Sequence, residues 1–128
     1  MAQKETIISE FINITRDLLL NFKLLTTNSN SRIYINICCS FVNKYPKEYI
    51  NLYKQYVFKK RNEIKNYDFS IIHFKPVKSL NIYHVNIDNF ENIIKSVVSD
   101  WEGITQDNKR TIFDYLIIMN EMVEKFDL

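Results

Sequence analysis

Apolar side chains along this 128-residue chain recur mainly at the spacing of a helix face, and seldom at the two-residue spacing of a strand. From about Gln3 to Leu25, the residues Ile7, Ile8, Phe11, Ile12, Leu18, Leu19, Phe22 and Leu25 share one side. Ser9, Glu10, Asn13, Arg16 and Asp17 take the other. The polar run 26–31 reads as a loop, with Ser31 capping a second helix over about Arg32 to Lys44. That helix has only a narrow polar stripe, Arg32, Asn36, Ser40 and Asn43. It is therefore expected at the centre of the fold, with Cys38 buried. Tyr45-Pro46 then opens a third helix to about Lys65, whose core face is Ile50, Tyr53, Tyr56, Val57 and Ile64.

Residues 67–87 carry no clear period. Asp68 can start a short helix that Pro76 ends; the alternative is a hairpin pairing Ser70–Phe74 with Ile82–Ile87. Asp88 suits the N-cap of a helix over about Asn89–Asp100, closed by Trp101, with Gly103 as its stop. Thr105 caps the last helix, with Asp107 in its first turn. There Ile112, Leu116, Met119, Val123 and Phe126 form an inward seam, and Arg110, Asp114, Glu121 and Lys125 lie opposite. The pattern predicts an all-α bundle of about five helices in a single domain, 1–128. An α+β fold with a small hairpin near 67–87 is the alternative.

Composition sharpens this picture. One Gly and two Pro leave little room for the many tight turns of sandwiches and barrels. Ile, Asn, Lys, Phe and Tyr make up half of the residues, 64 of 128, and all have codons rich in A and T. Abundant Asn and Tyr are thus better explained by an AT-rich genome than by chemistry. A net charge of +2 is too balanced for a globally electropositive nucleic-acid binder. Two adjacent cysteines form no disulfide framework, the N-terminus has no secretory pattern, and the apolar runs are too short to cross a bilayer. The protein is expected to be intracellular, not secreted, and without a membrane partner.

No catalytic spacing is present. A Gly-rich phosphate loop needs more than one Gly. Cys38 and Cys39 point about 100° apart on a helix, and with His73 and His84 they lack zinc-site spacing. No metal, cofactor or enzyme activity is expected. Two surfaces stand out instead. Lys47, Lys54, Phe58, Arg61 and Lys65 fall on one face of the predicted third helix, apart from Ile50, Tyr53 and Val57. Such a stripe can hold a phosphate backbone, with Phe58 stacking on a base, or an acidic protein. A solvated lysine face with Phe58 tucked under a loop is the ordinary alternative. Ile117 sits among Arg110, Asp114, Glu121 and Glu124, and together with Leu20 it marks a candidate interface. The heptad-like seam of the last helix leaves open a homo-oligomer.

The segment Trp101 to Leu116 resembles small uncharacterised helical proteins of nucleocytoplasmic large DNA viruses. The similar positions are Trp101, Asn108, Lys109, Phe113, Tyr115 and Leu116, and the stretch from Tyr45 to Phe58 is similar to their mid-chain helix. The likeness covers about the C-terminal two thirds. It implies a virus-encoded, non-enzymatic helical protein in the virion or the host cytoplasm, and assigns no functional residue. On capping grounds the cluster 107–110 is a helix start, leaving Lys109 and Arg110 available to a partner. The expected function is a structural or protein-interaction role through a helical surface; the alternative is nucleic-acid binding through the basic stripe.

Overall fold

The computed structural model describes residues 2–26, 29–72 and 99–128. Five α-helices and two 3-10 turns make up most of these residues, and no strand occurs among them. They are α1 (Ala2–Leu25), α2 (Ser29–Lys44), α3 (Pro46–Tyr56), α4 (Arg61–Lys65) and α5 (Gln106–Phe126), with 3-10 turns at Phe58–Lys60 and Phe69–Ile71. Residues 99–103 are also helical. The fold is the all-α bundle that the periodicity predicts. The hairpin alternative and most of the helix expected over 89–100 lie outside the described residues.

The core has two clusters stacked along α5. The first joins Phe11 of α1, Ile50 and Tyr53 of α3, and Met119 and Val123 of α5. The second joins Ile64 of α4, Trp101, and Ile112 and Phe113 of α5. Leu18, Val57 and Leu116 pack against both. The N-terminal half of α1 meets the C-terminal half of α5, and Leu18, Phe22 and Leu25 reach the opposite end, so the two helices run antiparallel. The seam predicted for α5 holds: Ile112, Met119 and Val123 are buried and Leu116 lies between the clusters.

Three expectations are corrected. α2 is not the centre. It packs on α1 and α3, and its buried Ile35 and Val42 belong to neither cluster, whereas α1 and α5 form the main helix contact. Ser31 is not the cap of α2, which begins at Ser29; its fully buried hydroxyl donates to Asp100 instead. The third helix does not run through to Lys65. It ends at Tyr56, and a 3-10 turn precedes α4. The break lets Phe58 pack on the first cluster while Ile64 enters the second. Within α3 the inward face runs through Tyr49, Ile50, Tyr53 and Val57, so Tyr56, expected inside, is 61% exposed; after the break Phe58, expected outside, is half-buried.

The helix ends show what a chain with one Gly does without it. Asp68 N–H donates to Glu63 O at 2.9 Å and Tyr67 N–H to Ile64 O at 3.0 Å, the paired bonds of a Schellman end. The left-handed position there is Tyr67, with φ 55°. Asp127, φ 52°, takes the same place after α5, where Leu128 N–H donates to Val123 O at 3.2 Å. Gly103, expected as a helix stop, does not adopt positive φ. Thr105 is the N-cap anticipated for α5: its Oγ1 accepts from Asn108 N–H at 3.2 Å. Asp68 caps the 3-10 turn Phe69–Ile71 by accepting from Ser70 N–H at 3.1 Å.

Candidate functional site

The basic stripe is divided by the break after Tyr56. Lys47 and Lys54 stand on α3, Phe58 in the 3-10 turn, and Arg61 and Lys65 on α4. The four cations are exposed. Phe58 is not free to stack on a base. One side of it packs on the first cluster, and the Arg61 guanidinium lies 4.6 Å from its ring centroid. Arg61 also donates from Nη1 to Phe58 O at 3.2 Å. Lys54 Nζ donates to Leu128 O at 3.2 Å, tying α3 to the residue after α5. The structure therefore does not assemble the single continuous face that the sequence spacing suggests.

Leu20 and Ile117 do not form one patch of exposed residues. Ile117 is half-buried against the second cluster. The outward apolar residue of α5 is its neighbour Ile118, in line with Asp114, Glu121 and Lys125. Leu20 is 51% exposed, and Leu24, one turn further along α1, is 85% exposed. Sequence reasoning passed over Leu24 because it adjoins the inward Leu25. Its position four residues after Leu20 was the available signal.

Lys109 and Arg110, expected to be available to a partner, are both engaged within the fold. Lys109 is buried, its ammonium 5.4 Å from the Trp101 ring centroid and 5.9 Å from that of Phe69. Arg110 lies 5.2 Å from the Tyr67 ring, and the Tyr67 hydroxyl donates to Asp114 at 2.6 Å. That bond holds the proton on Tyr67 and raises its pKa. Trp101 stacks on Phe113 at 5.8 Å, with Phe69 edge-on to Phe113 at 4.9 Å. The segment 101–116 is thus an aromatic and cationic joint rather than a ligand site. Three of the residues that carry the viral resemblance, Trp101, Lys109 and Phe113, meet in it.

Polar groups elsewhere are also occupied by structure. The Asp100 carboxylate accepts from the buried hydroxyls of Thr26 and Ser31, tying the end of α1 to the first turns of α2. Asp100 borders an open depression of about 300 Å³ with Thr105 and Asn108, and among the described residues it is the only ionisable one in that lining. Thr15 Oγ1 lies 2.7 Å from the Tyr49 hydroxyl, and Tyr53 donates to Asn120 Oδ1 at 2.7 Å. Burial raises the pKa of both tyrosines. Cys38 is half-buried rather than buried, yet desolvation pushes its thiol up to about 12 against the pull of its hydrogen bond with Tyr34. At neutral pH it is protonated and a poor nucleophile. No group of three His, Cys, Asp or Glu residues suited to a metal occurs among the described residues, and His73 and His84 lie outside them. None of the described helices is long and apolar enough to cross a membrane.

Compared with protein-family models, with curated protein sequences and with solved structures, the chain gives no match.

Proposed function

We propose that this chain is a non-enzymatic structural or protein-interaction domain that engages a partner protein through an outward helical surface. The observation that carries the reading is the pair Leu20 and Leu24, one turn apart on α1 and both turned outward. Two large aliphatic side chains at i and i+4 form the start of an apolar ridge of the kind that docks against a helix or a groove. The resemblance of residues 101–116 to virus-encoded helical proteins supports placing the partner in a virion or a host cell.

The test pairs Leu20→Asp and Leu24→Asp in one variant. Helicity by circular dichroism is expected to stay unchanged, because both side chains are exposed. Affinity for the partner recovered from the native context is expected to fall by about tenfold or more, the loss of one or two buried leucines from an interface. Unchanged capture by the double variant would move the contact surface elsewhere. Sedimentation at two concentrations separates a second copy of the chain from a different protein.

A further inference from the structure

We infer that the joint between α3 and α4 binds single-stranded nucleic acid, with Lys59 and Lys60 on phosphates and Tyr56 stacked on a base. The inference is independent of the leucine surface on α1. It rests on charge, on exposure and on the helix break.

Charge in this chain is concentrated. Residues 44–65 hold seven of the 17 basic side chains and two of the 15 carboxylates. The remainder carries ten cations against 13 carboxylates and is acidic. A net charge of +2 therefore conceals a local excess of five. Within this segment the side chains of Lys47, Lys59, Lys60 and Lys65 make no hydrogen bond or ion pair with any described residue. Unpaired ammonium groups on one short segment repel one another, and a polyanion relieves that repulsion while releasing its own counterions.

The last turn of α3 supplies the aromatic. The helix faces inward through Tyr49, Ile50, Tyr53 and Val57, and this leaves Tyr56 61% exposed, its side chain with no ring or hydrogen-bond partner among the described residues. In a 3-10 turn residues three apart eclipse, so the exposed Lys59 falls on the side of Tyr56, and the half-buried Lys60 follows about 120° round. Arg61, anchored on the Phe58 ring and carbonyl, stiffens the turn that carries the two lysines. A planar ring flanked by cations is the arrangement that grips unpaired bases and their backbone. An acidic protein fits less well. Protein interfaces centre on a desolvated, charge-depleted apolar patch, and here the outward ring of Tyr56 belongs to a segment with an excess of five positive charges. A duplex hides its base faces and gives Tyr56 nothing to stack on.

The test is fluorescence anisotropy with labelled oligothymidylate, a labelled hairpin duplex and labelled polyglutamate across a salt series. The wild-type chain is expected to bind oligothymidylate at low salt. Its log–log salt slope should lie near −2 to −3, about 0.7 for each of three to four phosphate contacts. Lys59→Glu with Lys60→Glu should weaken binding at least about tenfold and make the slope shallower by about 1.4, the share of two contacts. Tyr56→Ala should lose about fivefold or more in affinity with its slope unchanged, because stacking releases no counterions. Both sites are on the surface, and circular dichroism checks that each variant stays folded; Lys59→Ala with Lys60→Ala is the milder form. No binding of oligothymidylate at low salt overturns the inference. So does a Tyr56→Ala variant that binds like wild type, equal affinity for the duplex, or equal affinity for polyglutamate, which would mark an acidic protein site.

Discussion

The two core clusters share α5 but are built on different terms. The first is assembled from long helices, and two of its rings, Tyr49 and Tyr53, carry hydroxyls. Phe11 meets Tyr53 edge-on at 5.2 Å and Tyr49 at 6.0 Å. Each tyrosine then finds a polar partner on another helix, Thr15 or Asn120. The second is assembled from short pieces: α4, the helical end 99–103 and the 3-10 turn at Phe69. Its central rings are Trp101, Phe69 and Phe113, which carry no hydroxyl, and the Lys109 ammonium lies over two of them. Long helices hold their register through backbone hydrogen bonds and can accept hydroxyl pairs as pins. Short pieces have few such bonds of their own and depend on side-chain packing for their placement. The second cluster is thus the more exposed to damage from a single side chain.

The largest expected effect tests that separation. Phe113 is fully buried among Trp101, Phe69 and Ile64, and Phe113→Ala should cost about 3–5 kcal/mol in urea unfolding. Phe11→Ala, equally buried in the first cluster, should cost a similar amount, about 3–5 kcal/mol. The two should differ in the folded state. The sole tryptophan belongs to the second cluster, so Phe113→Ala should shift its emission while Phe11→Ala leaves it in place. Equal emission shifts in both variants would show that the clusters are one.

Next in size is a hydroxyl of the first cluster. Tyr53 donates to Asn120, whose Nδ2 is buried and has no partner among the described residues. Tyr53→Phe leaves a second buried polar atom of Asn120 without a partner, at about 1–3 kcal/mol at neutral pH. Alkali should narrow that difference. Burial raises the pKa of Tyr53 above its ordinary value of 10, so the unfolded chain loses the proton first. The stabilisation is complete below pH 10 and is lost as pH rises through the folded value. Thermal melts at neutral pH and above pH 10 should therefore converge between wild type and Tyr53→Phe. A constant gap across that range would show that the hydroxyl is not desolvated in the fold.

The sequence disclosed the first cluster almost whole and the second in part, for physical reasons. Ile8, Phe11, Ile50, Tyr53, Met119 and Val123 repeat at helical spacing over many turns, and their periodicity is their packing. Ile64 and Ile112 of the second were legible in the same way, whereas Phe69 sits on a 3-10 turn too short to show a period and Phe113 adjoins the seam rather than continuing it. The basic surface was half legible. Charge is local and can be counted, so Lys54 and Arg61 stood out. Which aromatic faces solvent depends on the phase of α3, whose inward face passes through Val57 rather than Tyr56, and on the 3-10 turn that brings Phe58 inward. The same one-residue error placed Ile117 outward in α5 where Ile118 is outward. Nothing in the sequence marks Thr15 and Asn120 as buried, because their partners, Tyr49 and Tyr53, lie on another helix.

Lys109 offers a smaller contrast between the clusters. Its ammonium sits over two rings of the second cluster with no carboxylate hydrogen-bonded to it among the described residues. Lys109→Met keeps a flexible side chain of similar length and removes only the charge. Loss of the cation–π contact should cost about 1–2 kcal/mol, with little dependence on salt, because the rings shield the ammonium. A more stable Lys109→Met protein would show that desolvating the ammonium outweighs its attraction to Trp101 and Phe69.

The smallest expected effect runs in the opposite direction and concerns the short pieces themselves. Gly103 lies in the helical end that carries Trp101, its φ is not positive, and a Cβ built there meets nothing within 4 Å. Left-handed backbone is borne at Tyr67 and Asp127 instead, so nothing in the described fold requires a glycine at 103. Gly103→Ala should narrow the unfolded ensemble without strain and stabilise by about 0.5–1 kcal/mol. If short elements limit the second cluster, stiffening this one should also protect the Trp101 and Ile104 amides in hydrogen exchange. The first-cluster amides at Phe11 and Tyr53 should change only by the global gain. A destabilised Gly103→Ala variant would mean that the turn from Trp101 into Thr105 needs a conformation that alanine resists.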